Sequence, residues 1–581
     1  MARPLAAWLL LAALSVTSHA NSDVRAPPNI ILMVGDDIGW ADVQRHDPEM
    51  RTPNLERMAT RGRELTHNYV LPTCAPTRSA LLTARYPYTY GMQVNDITGT
   101  RLAWLNETLT LLPATMRDLG YRTHMIGKWH LGFCDWSLTP TRRGFDSFYG
   151  FFSGAQGYFN HSGNGDHAYD FRDNDEIVWS ARGHYSTELH TARAQSIIRN
   201  SSASNTPFFL YMAYQNAHAP WEVKQDYVDR YCSHVTNDTR RLHCGMVAAM
   251  DESIGNITQT LQDEGVYDNT IVVFMSDNGG PIGGSAFNWP LRGQKATLWE
   301  GGVRSYTVID SPLITQQPGQ GYDGLFHAVD WYPTLVTAAG GSPPAGQDGI
   351  AMWQELLTNT PTPTSRDEFV YNIDDKNRRA ALRWNKWKLT QGKPGRKYNG
   401  WYPPPSLLRQ GEAWEEVKGR TLNRWQLFDL DADPAERYDV SEVSSNMGVV
   451  ATMKRKLNDY RRRLQPYDEA PRSRLGSQLA RQNGAYTPGF CNPSEGRPRA
   501  GSDSRREGSE QGRGGRNRGN GGRNRGQGGR NRGNGGRNRE TGGRNRGQGG
   551  RNRGSGGRNQ GGGGRRGGRG RGRNQNGGNG I

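Results

Sequence analysis

The sequence predicts an α/β protein: a large, mostly parallel central sheet flanked by helices, followed by a smaller C-terminal α+β region with an antiparallel sheet. Three observations predict it. Four short segments have the length of strands, and two of them are unbroken apolar runs, as expected of strands covered on both faces. Helical patterns lie between them, the alternation expected of parallel strands joined by crossovers. After about residue 366 the texture changes to hairpin-like segments and one amphipathic helix.

The chain starts with Arg3, an apolar run Leu5–Leu14 and then Ser18-His19-Ala20. A basic start, a short greasy stretch and small residues at the break describe a signal peptide over 1–20, cut after Ala20. No later stretch approaches the ~18 apolar residues of a membrane span. The expected compartment is the secretory pathway, ending outside the cell or in the lysosome. Sequons at Asn106, Asn160, Asn200, Asn237 and Asn256 are expected glycosylation sites in that compartment.

The strands follow in order, and each ends in polar residues. Asn29–Val34 runs into Gly35-Asp36-Asp37, and Tyr121–Ile126 into Gly127-Lys128-Trp129-His130. Pro207–Tyr214 leads to Gln215-Asn216-Ala217-His218, and Thr270–Met275 to Ser276-Asp277-Asn278. Helical patterns cover 52–63, 111–119, 190–199 and 242–264. Open parallel sheets bind ligands beyond the carboxyl ends of their strands, so all these polar residues are expected at one edge. Residues 26–365 are read as the catalytic region. In 366–495, a hairpin over Arg379–Leu389 turns at Trp384–Trp387, Trp425–Leu430 is a further strand, and Val449–Leu464 is a helix.

From 496 to 581 nothing can pack. A heptapeptide Gly-Gly-Arg-Asn-Arg-Gly-(Asn/Gln/Ser) recurs, and low hydrophobicity with high charge predicts disorder. Residues 501–581 hold 21 Arg and four acids, which is the whole net charge of +17. The first 500 residues are therefore balanced, and the chain is not a basic nucleic-acid-binding enzyme. The repeats also lack aromatic residues for base stacking. Flexible arginines suit the sulfates and carboxylates of glycosaminoglycans, the partner expected for this tail.

The chemistry starts from oxygen donors. Asp36, Asp37, Asp277 and Asn278 offer three carboxylates and an amide, a set that suits Ca²⁺ or Mg²⁺ and not zinc. Lys128 and His130 are two residues apart, so in extended chain both face one ligand. His218, taken alone, reads equally well as a structural histidine, and Lys295 as a solvent-exposed lysine. Five cysteines leave one over in an oxidising compartment. Three pairings are open to Cys134, Cys232, Cys244 and Cys491; the short spacing favours Cys232 with Cys244, leaving Cys134 for Cys491. The residue to explain is Cys74.

Cys74-Ala-Pro76-Thr-Arg78 resembles the signature of the sulfatase family, whose cysteine is oxidised to Cα-formylglycine. Gly35-Asp-Asp-Ile-Gly-Trp40, Gly127-Lys-Trp-His-Leu-Gly132, Ser276-Asp-Asn-Gly-Gly280, Trp289–Lys295 and Leu427–Pro434 fit as well, in the order of the branch holding arylsulfatases B, I and J. The resemblance covers roughly residues 28–465. Thr77 stands where Ser is usual, and Ala84 where Gly is common.

The resemblance implies an alkaline-phosphatase/sulfatase-like fold and a calcium-dependent sulfuric ester hydrolase. It implies that a formylglycine-generating enzyme converts Cys74, whose hydrated aldehyde attacks sulfur and later expels sulfate. Asp36, Asp37, Asp277, Asn278 and residue 74 would hold one Ca²⁺. Lys128 and Lys295 would clamp sulfate, His218 would protonate the leaving alcohol, His130 would take the diol proton, and Arg78 would pair with the site's carboxylates. The implied substrates are aryl sulfates and sulfated sugars, N-acetylgalactosamine-4-sulfate of chondroitin or dermatan type in particular. Two alternatives are an inert sulfatase-fold matrix protein binding glycosaminoglycans through its tail, and a phosphatase or phosphodiesterase. The all-oxygen donor set and the cysteine motif argue against the latter.

Overall fold

The computed structural model describes residues 26–495, apart from 95–96, 164, 363–364, 409–412, 418–423 and 468. The expected signal peptide and repeat tail lie outside the described residues. In chain order the first part runs β1 (Asn29–Gly35), α1 (Pro53–Arg61), α2 (Cys74–Thr83), β2 (Arg122–Lys128), β3 (Ser147–Phe151), α3 (Ser186–Ser204), β4 (Phe208–Ala213), α4 (Asp238–Asp263), β5 (Thr270–Ser276) and β6 (Thr307–Asp310). The four expected strands are β1, β2, β4 and β5, of which β1 and β5 are the unbroken apolar runs. They pair in parallel with β3 in the order β5-β1-β4-β2-β3. The flanks are antiparallel: β6 runs against β5, and the short strands Arg63–Glu64, Arg172–Asp173 and Glu176–Ile177 complete nine.

The runs do not alternate because both faces are covered. Ile30, Leu32 and Val34 of β1 enter one core with Phe209, Tyr211, Ile271 and Val273. Ile31 and Met33 enter a second core, on the other face, with Leu210, Met212, Val272 and Phe274. Each such side chain contributes about 1.5–3 kcal/mol relative to exposure. Long α4 starts at Asn237, whose side chain accepts a bond from the Arg240 N–H. Asp251 on α4 then fastens α1, accepting from the N–H groups of Asn54 at 3.0 Å and Leu55 at 2.8 Å.

The later region carries β7 (Glu368–Asp374), β8 (Arg379–Trp384), β9 (Trp387–Gly392) and β10 (Arg424–Asp429), an antiparallel sheet in sequence order. The expected hairpin turn places Trp384 opposite Trp387, with Asn385 between them in the left-handed region at φ 50°. Helix α5 (Met447–Arg461) sends Met453 and Leu457 into the core that also holds Ile30 and Leu32. The two sheets thus share a core. Buried charges fasten the second sheet to the first part of the chain: Lys388 on β9 reaches Glu300, in the short helix Glu300–Val303, at 2.9 Å, and Glu436, in the loop after β10, at 2.8 Å.

Cys232 is bonded to Cys244, and Cys134 to Cys491, as the spacing favoured. Cys74 is the free, buried cysteine. Among the described residues no helix is long and apolar enough to cross a membrane.

Candidate active site

The polar residues that end the strands meet at the carboxyl edge of the sheet. Asp36 and Asp37 follow β1, Asp277 and Asn278 follow β5, Lys128 ends β2, and His218 lies in the loop after β4. Helix α2 brings Cys74 at its first position and Arg78 one turn later on the same face. The entry to α2 is tied down by Thr77, whose hydroxyl oxygen accepts from the Leu71 N–H at 3.0 Å. Backbone packing here leaves no room for side chains: a Cβ on Gly279 would lie 1.8 Å from the Gly301 carbonyl oxygen. Gly127, beside Lys128, combines φ +95° with a Cβ position 1.9 Å from the Ala213 oxygen.

One ligand atom from each of Asp36, Asp37, Cys74 and Asp277 lies within 4.8 Å of the other three, and all four residues are buried. Cationic side chains surround them. Lys128 Nζ donates to Asp36 at 2.6 Å, and Lys295 Nζ lies 2.5 Å from Asp37. Arg78 donates twice to Asp277, through Nε at 3.0 Å and Nη2 at 2.7 Å. Cys74 Sγ lies 3.4 Å from Asp36 Oδ1. Asn278 Nδ2 donates to Asp37 at 2.7 Å, while its Oδ1 is buried without a protein partner. His218 Nε2 stands 3.8 Å from Asp37, and its Nδ1 faces the Ala219 carbonyl at 2.7 Å.

The electrostatics follow from crowding carboxylates away from water. Burial and the neighbouring Asp36 charge push Asp277 up to about 6. Burial would raise Asp36 too, but Lys128, His218, Arg78 and Lys295 hold it well below the usual carboxylate range. Burial and the Asp277 charge push the Cys74 thiol far up, so as cysteine it stays protonated and is a poor nucleophile. Burial and the charge of Lys295 lower His218.

This donor set fits a hard divalent cation. Three buried carboxylates converge, an amide oxygen beside them has no protein partner, and the one nearby sulfur belongs to the protonated Cys74. His218 also brings a nitrogen within 4.8 Å of ligand atoms of Asp36 and Cys74.

His130 departs from the extended-chain expectation. Strand β2 stops at Lys128, and His130 itself is left-handed at φ 54°. Its Nε2 donates to the Ile97 carbonyl at 2.8 Å, and Nδ1 is buried without a protein partner. Burial, helped by Lys128 and Arg78, drives its pKa well below the ordinary value, so Nδ1 keeps its lone pair.

A sequence model of the sulfatase family matches residues 28–341. The chain belongs to the sulfatase family. Over 481 residues it is 35% identical to arylsulfatase J of Mus musculus, a match covering 78% of this chain and 79% of that one. Over 470 residues it is 30% identical to N-acetylgalactosamine-6-sulfatase of Homo sapiens, covering 72% and 82%. Among solved structures, Ps i-CgsB in complex with k-i-k-neocarrahexaose aligns with TM-score 0.66 at 27% identity, over 79% of this chain and 97% of that one. A phosphonate monoester hydrolase from Silicibacter pomeroyi aligns with TM-score 0.52 at 15% identity, a likeness of fold alone. This sulfatase is accordingly a sulfuric ester hydrolase.

The site of this sulfatase opens into a cavity of about 300 Å³ whose lining includes Asp37, His218, Trp221, Lys295 and Tyr398. Trp221 and Tyr398 escaped the sequence reading. Trp221 follows His218 by three residues, and its 40% exposure marks it only in three dimensions. Tyr398 comes from the later region and has no local motif.

Proposed function

We propose that this sulfatase hydrolyses sulfate esters with a formylglycine made from Cys74 and one Ca²⁺. The observation that carries the reading is the convergence of a buried free cysteine at the head of α2 with three aspartates, bracketed by Lys128 and Lys295. Asp36, Asp37, Asp277 and Asn278 would hold the ion, whose chemistry is to acidify the nucleophile and offset sulfate charge. A hydrated aldehyde at 74 supplies a nucleophile whose second hydroxyl can release sulfate without ester hydrolysis.

The chain's own residues supply the rest. Lys128 and Lys295 place two ammonium groups beside the nucleophile position, suited to sulfate oxygens as charge develops. Arg78 keeps Asp277 oriented and charge-compensated. His218 holds Nδ1–H against a carbonyl, which leaves Nε2 facing the site; once that nitrogen has taken up a proton, it is the atom that passes it to the leaving oxygen. His130 holds Nε2–H the same way, leaving Nδ1 to accept a proton.

For substrate, the reading is a sulfated sugar. N-acetylgalactosamine-6-sulfatases among the relatives support sulfated N-acetylgalactosamine, and the sequence resemblance points to the 4-sulfate of chondroitin or dermatan. The reading includes maturation by a formylglycine-generating enzyme in the secretory pathway, with the protein ending extracellular or lysosomal. Asn160, Asn200, Asn237 and Asn256 are exposed and Asn106 half-buried, which supports glycan addition. The assignment of 26–365 as the catalytic domain and 366–495 as a C-terminal α+β subdomain belongs to the same proposal, as does glycosaminoglycan binding by the Arg-Gly tail.

The test is release of inorganic sulfate from 4-nitrocatechol sulfate. Wild-type protein should turn over, Cys74→Ala should lose at least about a thousandfold, and chelation should remove activity that Ca²⁺ restores. Normal turnover by Cys74→Ala would sink the mechanism.

A further inference from the structure

Beside the catalytic cavity lies a larger one of about 500 Å³, and the two share Gln294 and Lys295 in their walls. The second cavity is strongly basic. Arg101, Lys295, Arg379, Arg396 and Lys397 line it, and Glu469 is its acid. Glu469 is matched by Lys376 at 3.1 Å, Lys295 by Asp37 and Arg379 by Asp374, so the positive excess of the cavity rests with Arg396 and Lys397.

Its cations differ in how they are held. Arg379 is fixed, with Nε 3.0 Å from Asp374 and Nη1 donating to the Ala296 carbonyl at 2.8 Å, one residue from Lys295. Arg396 is exposed and donates to a neutral group, Asn377 Oδ1, at 2.8 Å. Lys397 is exposed, and among the described residues no carboxylate pairs with it. Arg396 and Lys397 sit in a loop whose backbone is anchored at both ends. The Pro394 carbonyl accepts from the Leu298 N–H at 3.0 Å, and the Gly400 carbonyl accepts from the Gly293 N–H at 2.9 Å. The loop is thereby moored to the segment that carries Lys295. On the other side of Lys295, half-exposed Trp221 lines the catalytic cavity and offers an apolar face of the kind on which a sugar ring stacks.

We propose that the basic cavity is a second anion subsite, in which Arg396 and Lys397, with Arg379 behind them, hold a sulfate or carboxylate on the sugar next to the one being desulfated. The inference rests on the sulfatase reading and narrows it: the preferred substrate is a segment of an anionic polysaccharide with charge on adjacent units. Among the described residues neither Arg396 nor Lys397 forms an ion pair with a carboxylate, although Arg396 lies near enough to Glu469 to help Lys376 hold its pKa down; presented beside a fixed arginine, the two gain close counterions from the substrate. A small aryl sulfate fills the catalytic cavity and leaves this one unused.

The test compares sulfate release from a chondroitin 4-sulfate tetrasaccharide and from 4-nitrocatechol sulfate, using the full chain. In Arg396→Ala/Lys397→Ala the ratio of kcat/KM for tetrasaccharide over aryl sulfate should fall about tenfold or more, mainly through KM. Arg396→Lys/Lys397→Arg, which keeps both charges, should recover most of it. An unchanged ratio overturns the subsite. Hydrogen exchange across residues 394–400 gives a readout independent of turnover: the tetrasaccharide should slow it in wild-type protein, and no slowing overturns the subsite. Slowed exchange without sulfate release from either compound would instead defeat the catalytic reading while keeping the subsite.

Discussion

Arg78 carries two burdens at once. It is fully buried, and both of its bonds to Asp277 restrain a carboxylate that burial pushes up to about 6. Removing one partner of such a pair leaves a lone buried charge, which costs about 3–5 kcal/mol. Arg78→Met should therefore lower the thermal midpoint clearly as well as abolish turnover. A variant with wild-type stability would show that Asp277 does not depend on it. At this scale the sequence was most legible where residues end strands. Asp36, Asp37, Asp277 and Asn278 were found because a parallel sheet collects its strand ends. Lys295 had no such signal, since a loop delivers it and only the resemblance singled it out. His130 shows the limit of counting residues: periodicity assumes the strand continues, and β2 stops two residues earlier. Arg396 and Lys397 were visible as charges, but their relation to Lys295 needs contacts about a hundred residues apart in sequence.

At the scale of elements, the interlock of α4 with α1 predicts a pH effect outside the active site. Asp251 is buried, and burial raises its pKa to about 6 although Asn54 and Leu55 donate to it. The unfolded chain ionises it near 3.8. Its contribution is therefore complete below about pH 4 and is lost as pH rises through about 6, up to about 3 kcal/mol. Asp251→Asn removes that titration. Between pH 4 and pH 8 the stability of the variant should gain on wild type by up to that amount; a pH-independent difference would contradict the assignment. Helix α2 shows why glycine is common at the position that Ala84 holds here. Ala84 caps it in the left-handed region at φ 54°, the conformation glycine adopts without penalty. The central strands and most helices were legible in the apolar runs and their spacing. The short antiparallel flanks were not, because two-residue strands carry no periodicity.

For the whole molecule, two sheets close over one core, and the Cys134–Cys491 bond ties the end of the described chain to the loop after β2 across 357 residues. Closing so long a loop constrains the unfolded chain, for about 3–5 kcal/mol. Cys134→Ser/Cys491→Ser should lower the thermal midpoint while leaving kcat on an aryl sulfate near wild type. A loss of kcat at temperatures where the variant is folded would mean the bond shapes the site as well. The net charge of +17 belongs to the terminal repeats, and the neutral body concentrates its working charges in a few ångströms: carboxylates at the sheet edge, lysines facing them, and a second group of cations next door. The proposed chemistry stands on an aldehyde at position 74. Mass analysis of the residue-74 peptide from secreted protein tests it most directly. The proposed chemistry requires formylglycine at that position; an unmodified thiol in protein that still releases sulfate would contradict it.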